Sequence, residues 1–571
     1  MAHPATGPER GEGRVARASW DRSTDVVVVG SGAAGLTAAL AARELGASVV
    51  VLDKSELIGG TTAVSGGGIW VPGNRRMVEL GVADTREDAL AYLRAVTDGR
   101  ETDPALVEAY VDGVLEAVDF LEARTPASFV ASRYFSDYFG ELPGAKRLGR
   151  CMECLPFESR AELGPWHDRI RKSPHRPNLM IDEVAATAAA TSGNTGAIAL
   201  SSELRALAAA RDAAGILTGG GALVASLLRA LLDRATTVET QARVRRLVLD
   251  GERVAGVVAH AGGKDVAIQA GGVVLAAGGF EWNTEFVQAF LGIPDLRPLS
   301  PPVNDGDGLL LGMRAGAALA NMTVAWSHPV TSDGQATFEG KPLHRMASPR
   351  NEAGCITVNR HGRRFVNEGV SYMDLARTFR TYDPVAAEYP NEPPVFMVFD
   401  RRVRDRIELH DLLPGGPTPA WVTEAESLTS LAERIGVPPE TLGAEVARFN
   451  ANVARGEDVD FHRGTVWFEG FSSGGPSPAR ALAPIDRPPF YAMALYDGAL
   501  GTAGGLHIDG HGRVRASQGG TVEGLFAAGN TAASVFGPTY PAGGVTIGGA
   551  LAFALRAGRG AGSEHQPSQG T

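Results

Sequence analysis

The residues at the start of the chain best suited by type and spacing to do chemistry are three glycines and an acid. Gly30, Gly32 and Gly35 stand in the order G-x-G-x-x-G, with Ala33 and Ala34 between the last two, and Asp53 and Lys54 follow after a second apolar run. The first glycine makes a tight turn, the second lets backbone come close to a pyrophosphate, and the third lets a helix pack closely on a strand. A helix that starts there points unpaired N–H groups and its positive dipole end at an anion. The Asp53 carboxylate can accept hydrogen bonds from a ribose hydroxyl. This is the chemistry of holding a dinucleotide, with NAD and FAD both open at this point. The bland alternative is an ordinary βαβ crossover whose glycines serve packing alone.

The elements that position these groups are written around them. Asp25 to Val29 is β-branched after its first residue and reads as a strand, the alanine-rich run after Gly30 reads as a helix, and Ala47 to Leu52 reads as a second strand that delivers Asp53. In the loop Glu56 to Asn74, Gly60, Gly66 and Gly67 remove bulk, while Thr61, Thr62 and Ser65 offer hydroxyls to phosphate or ring atoms. Gly271 to Asn283 reads as a buried strand ending on a corner of small residues, including Ala277 and Gly278, where a sheet returns to the nucleotide. Gly529 and Asn530 close another strand, and a glycine-led helix carrying Thr546 and Ile547 aims a second N-terminus at the same ligand.

Elsewhere Thr85 to Arg124 has the periodicity of two amphipathic helices, and Ser132 to Arg150 is a loop crowded with aromatics of the kind that covers something. Residues 160–200 show no assignable pattern. A helix is expected from Gly219, strands at Thr237 to Leu249 and Arg253 to His260, and surface helices at Ser427 to Ile435 and Pro439 to Val453.

A chain of 571 residues is too long for one ordinary core. The expected fold is α/β: a Rossmann-like nucleotide-binding domain from 24–330 and 499–562, an inserted α+β substrate domain over 331–498, and tails at 1–23 and 563–571. The net charge of -11 opposes nucleic acid as a partner. Three cysteines make no disulfide framework, which points to a reducing compartment, with the cytoplasm as default. Cys151 and Cys154 lack a second pair to complete a zinc site, so no metal is expected. No signal peptide or membrane span is expected, and the apolar run Val184 to Ala190 is too short to cross, so any membrane association would be peripheral.

Taken in order, the glycine fingerprint, the G-G-T-T loop, the A-A-G-G-F strand and the closing G-N before a glycine-led helix resemble the flavoprotein family of fumarate reductases and 3-ketosteroid dehydrogenases, from Asp25 to about Gly560. The resemblance implies FAD. Relatives with covalent flavin carry a histidine in the loop after the fingerprint; Glu56 to Asn74 has none, so noncovalent FAD is expected. Within the family the chain is most similar to the 3-ketosteroid Δ1-dehydrogenases. SDYFGELPGAKRLGR places Tyr138 on their first active-site tyrosine, GRRFVNEGVSYMDL places Tyr372 on the second, and TYPAGGVTIGG places Tyr540 on the third with Gly544 as a backbone donor. Ala542 and Gly543 depart from the family pattern, which bears on the aim of the Gly544 N–H.

The resemblance implies a 3-ketosteroid substrate that loses a C1 hydride and a C2 proton. Tyr540 and Gly544 would meet the charge that grows on the C3 oxygen. Tyr372 would be the base, ionising well below the usual phenol value of about 10 with help from a hydrogen bond donated by Tyr138. The electron acceptor stays open, a quinone among the choices. Rival readings are dehydrogenation at C4 and C5 of a saturated 3-ketosteroid, dicarboxylate chemistry based on His328 and Arg350, and a flavin-binding protein with no reaction. Arg350 could equally pair with an acid in the fold.

Overall fold

The computed structural model describes residues 19–191, 199–469 and 476–564. The expected tails therefore lie outside the described residues, apart from 19–23 and 563–564. β1, Arg22–Val29, starts two residues inside the segment expected as a tail. Arg22 and Ser23 already pair with Ile268 and Gln269, and the Arg22 guanidinium holds Glu239 at 2.9 Å, so polar residues extend the strand beyond its apolar part.

From β1 the chain turns at Gly30 into α1, Ala33–Glu44, and returns in β2, Val49–Leu52, parallel to β1. The turn can only be glycine. Gly30 has φ +107°, and a Cβ on it would stand 2.3 Å from the Ala276 carbonyl oxygen. A Cβ on Gly35 would stand 1.9 Å from the oxygen of Gly30, so the helix rests directly on the turn. β3, Thr237–Glu239, lies beside β2; β4, Lys264–Leu275, lies on the other side of β1; and β5, Thr521–Ala527, lies beside β4, all parallel. Val26 to Val29 are buried on both faces, as a parallel strand between helix layers requires. α2, Val545–Ser563, crosses α1 at a distance only small residues allow: a Cβ on Gly558 would come within 2.2 Å of the Ala38 oxygen.

A second sheet is antiparallel through its centre, in the order Ala325–Thr331, Phe490–Thr502, Val395–Asp400, Cys355–Val358. Its long middle strand, 13 residues, leads the chain back toward β5 and α2. The region Thr85 to Arg124 forms two helices, Arg86–Thr97 and Pro104–Arg124, capped by the side chains of Thr85 and Asp103. Of 160–200, the described part includes the short helix Ser159–Leu163 and the helix Ile181–Thr191, which contains the apolar run at 184–190. Among the described residues no helix is long and apolar enough to cross a membrane.

Cys151 and Cys154 sit in one buried strand, where residues three apart face opposite sides of the sheet. Burial pushes the Cys154 thiol up to about 12, and no cluster suited to a metal ion occurs among the described residues.

Candidate active site

One cavity of about 780 Å³ runs between the two sheets. At one end it is lined by Gly30, Gly32, Ala33, Ala34, Asp53 and Lys54, then by Gly60, Thr61, Thr62, Ser65, Gly66 and Gly67. Ala277 and Gly278 line it from the end of β4; Gly529, Asn530, Thr546 and Ile547 line it from β5 and α2. Gly35 does not reach it and serves packing. At the other end are Tyr138, Tyr372, Tyr540 and Gly544, so two sets of residues far apart in the sequence share one space.

The nucleotide end is built to offer backbone donors. The N–H groups of Gly32 and Ala34 at the start of α1 have no partner among the described residues. A Cβ on Gly32 would have nothing nearer than 3.6 Å, so there is room for a ligand against the backbone. Several side chains expected to bind the ligand also hold the wall together. Thr62 Oγ1 accepts from the Ala33 N–H at 3.1 Å, Thr61 Oγ1 accepts from Asn304 at 2.8 Å, and Ser65 donates to the Thr62 carbonyl at 2.7 Å. Asp53 accepts from the N–H groups of Ser31 at 3.0 Å and Ser55 at 2.9 Å, and from the Ser31 hydroxyl. With roughly four acceptor positions on a carboxylate, one is left for a hydroxyl. Lys54 is paired with Asp305 and, at 3.0 Å, with Asp307.

The tyrosine end is assembled from three segments. Tyr138 Oη and Tyr372 Oη are 3.0 Å apart. The Tyr540 ring lies 5.8 Å from that of Tyr138 and 5.6 Å from that of Tyr372, and Trp326 packs edge-on against it at 5.1 Å. The aromatic loop is tied to the closing loop by the Tyr138 N–H, which donates to the Pro541 carbonyl at 3.1 Å, and by the Tyr92 hydroxyl, which donates to the same oxygen at 2.5 Å. Asp137 anchors the loop from behind. It accepts from Trp70 Nε1 at 2.7 Å and pairs with Arg150 at 2.7 Å, while Arg150 also pairs with Asp84 at 2.6 Å, all deeply buried. Removing one partner from such a buried pair typically costs about 3–5 kcal/mol. Sequence reasoning missed this network, although Asp137 adjoins Tyr138 within the quoted motif.

Ala542 is buried and outside the left-handed region, so the closing loop keeps its register without strain there. Gly544 has φ +97°, and its N–H has no partner among the described residues. A Cβ on Gly544 would stand 2.7 Å from the backbone of Ile69 and Trp70. Glycine is required at this place for both reasons.

The electrostatics of the site run against easy ionisation of its phenols. Burial pushes the phenols of Tyr138 and Tyr372 well above the ordinary range and raises that of Tyr540. The hydrogen bond that Tyr138 and Tyr372 share lowers one phenol, Tyr138, and raises the other, Tyr372. His328 stacks on Tyr372, ring centroids 4.6 Å apart, with Nδ1 2.7 Å from the Pro329 carbonyl oxygen. Burial and then the nearby Arg350 push its pKa down to about 3, so the ring is neutral. Arg350 is buried too, its pKa lowered to about 10 by burial against the opposing pull of Tyr372 and Tyr138. Contrary to the pairing considered from sequence, it has no carboxylate partner among the described residues.

A family model described as an FAD binding domain matches residues 25–547. The chain belongs to this FAD-binding family. It is a flavoprotein oxidoreductase, and its cofactor is FAD. The donor-lined end of the cavity fits that group, since unpartnered N–H groups and an open face at Gly32 suit a pyrophosphate. The chain is 39% identical to a 4-oxocyclohexanecarboxylate 2-dehydrogenase of Sinomonas cyclohexanicum over 94% of this chain and 93% of that protein. It is 34% identical to a 3-oxosteroid 1-dehydrogenase of Mycobacterium tuberculosis over 93% of this chain and 96% of that one. A crystal structure of 3-ketosteroid delta1-dehydrogenase from Sterolibacterium denitrificans, in complex with 1,4-androstadiene-3,17-dione, is similar at a TM-score of 0.84 and 31% identity, covering 95% of this chain and 100% of that one.

Proposed function

We propose that this flavoprotein desaturates a ring ketone between the α- and β-carbons on one side of the carbonyl, and that its substrate is a 3-ketosteroid dehydrogenated at C1 and C2. The observation that carries the reading is the convergence of Tyr138, Tyr372 and Tyr540 with the unpartnered Gly544 N–H on one wall of the cavity. Tyr372 takes the C2 proton. Tyr540 O–H and Gly544 N–H meet the negative charge on the C3 oxygen, where one such donor is typically worth about 3–4 kcal/mol. Bound FAD supplies the acceptor for the C1 hydride. The backbone of Gly32 and Ala34, with Asp53 on a ribose hydroxyl, holds it without a covalent bond. Aromatic rings suit a hydrocarbon substrate because they bury it while their hydroxyls stay paired.

A second reading is favoured by one feature. Arg176 and Arg345 line the same cavity, and among the described residues neither makes a close ion pair, the carboxylates of Glu153 and Glu183 acting on the first and that of Asp333 on the second only from farther away. Such cations suit a small cyclic keto acid like the one named for the 39% identical relative. Anaerobic bleaching of the holoenzyme by a panel holding androst-4-ene-3,17-dione, its 5α-saturated analogue and 4-oxocyclohexanecarboxylate separates the readings. Bleaching by the first compound, with a C1–C2 double bond in the product, supports the steroid reading. Bleaching by the keto acid alone overturns it.

A further inference from the structure

Resting on the reading of Tyr372 as the proton acceptor, we propose that Arg350 is the positioning residue that lets a phenolate form there: its buried, carboxylate-free guanidinium is the counter-charge of the Tyr138–Tyr372 pair. Arg350 lies in the turn Ser348–Asn351, whose first residue lines the cavity. Its Nη2 donates to the carbonyl of Val370 at 3.2 Å, two residues before Tyr372, and its Nε has no partner. A buried cation without an anion is costly. The arrangement makes sense if the anion is supplied by the site itself.

The other groups facing the pair carry no net charge that could do this. Tyr540 is a phenol raised by burial, Cys151 is a buried thiol pushed up in the same way, and His328 is neutral. Arg463, whose charge acts on Arg350, is matched by Glu368 at 3.1 Å; Glu368 also holds Arg364 at 2.7 Å, and Arg364 holds Asp458 at 2.8 Å. Those two arginines and two acids cancel. Glu352, close in sequence, lies 3.9 Å from Arg406. Arg350 is left as the uncompensated charge.

In the proton transfer the C–H bond next to the ketone breaks, its electron pair becomes the enolate with charge on the carbonyl oxygen, and the proton forms the Tyr372 O–H bond. The negative charge thus leaves the side of Arg350 and arrives at Tyr540 and Gly544. Between turnovers the Tyr372 proton returns to solvent past Tyr138, and Arg350 again faces a phenolate.

The test is a pH titration of the holoenzyme's near-ultraviolet phenolate absorption, together with solvent deuterium exchange at the carbon next to the ketone, followed by NMR without electron acceptor. Tyr372→Phe should remove the lowest-titrating phenol and the exchange. Arg350→Met should move that phenol, and the acidic limb of exchange, up by about one pH unit or more. Arg350→Lys should recover most of the shift. Should Arg350→Met not fold, Arg350→Gln gives the same neutral comparison. A neutral variant whose phenol titration superimposes on wild type, with exchange lowered equally at every pH, overturns the proposal and leaves Arg350 a structural role. Exchange retained in Tyr372→Phe overturns the base assignment instead, whatever Arg350 does.

Discussion

The two ends of the cavity are made in opposite ways. The nucleotide end is backbone work: one continuous strand, turn and helix presents N–H groups, and glycine is chosen there for what it lacks. The ketone end is side-chain work, with hydroxyls brought together across 234 residues between Tyr138 and Tyr372 and held by the Asp137–Arg150–Asp84 network and the second sheet. A backbone site needs a shape, so a substitution either fits or breaks it. A side-chain site needs a chemical group, so that group can be removed while the shape survives.

The largest effect should come from breaking the shape. In Gly35→Val, the new Cβ must stand where the Gly30 oxygen now lies 1.9 Å away, and no rotamer relieves a backbone contact. The expected outcome is loss of bound FAD and of most soluble protein, read from the flavin absorbance of the purified chain. A yellow, stable variant would break the contrast at its nucleotide end. Removing a group at the other end should behave differently. Tyr540→Phe keeps its ring against Trp326 at 5.1 Å and loses only the donor. It should retain FAD and a wild-type thermal midpoint while turnover falls by about two to three orders of magnitude. Near-wild-type turnover would remove Tyr540 from the oxyanion role.

This contrast also explains what the sequence discloses. β1, α1 and β2 are legible because glycine spacing and β-branched runs report backbone geometry locally, although polar Arg22 and Ser23 hide the true start of the strand. Tyr138, Tyr372 and Tyr540 are legible only through resemblance to a family, since an isolated tyrosine reads as packing. The resting state of Tyr372 is not legible, because burial, which raises its pKa, depends on Tyr540, Tyr138 and Phe468 arriving from other segments. Arg350 is one of 54 basic residues, and its sequence does not disclose that Glu352 and Glu368 are turned toward other arginines.

The smallest effect expected concerns the price of keeping the ketone end dry. His328 is 3% exposed, stacks on Tyr372, and has its folded pKa pushed down to about 3 by burial and by Arg350. The unfolded chain binds a proton at this histidine once pH drops below about 6.5, whereas the folded chain does not. Its contribution to stability is therefore present above that value and is lost as pH falls toward about 3, at up to about 1.4 kcal/mol per pH unit. Thermal midpoints of the holoenzyme at pH 7 and pH 5.5 should accordingly fall more steeply in wild type than in His328→Phe, which keeps a ring on Tyr372 and cannot titrate. Equal slopes would mean that water reaches this ring, and that the two ends of the cavity differ less in their exclusion of solvent than the burial of His328 and Arg350 indicates.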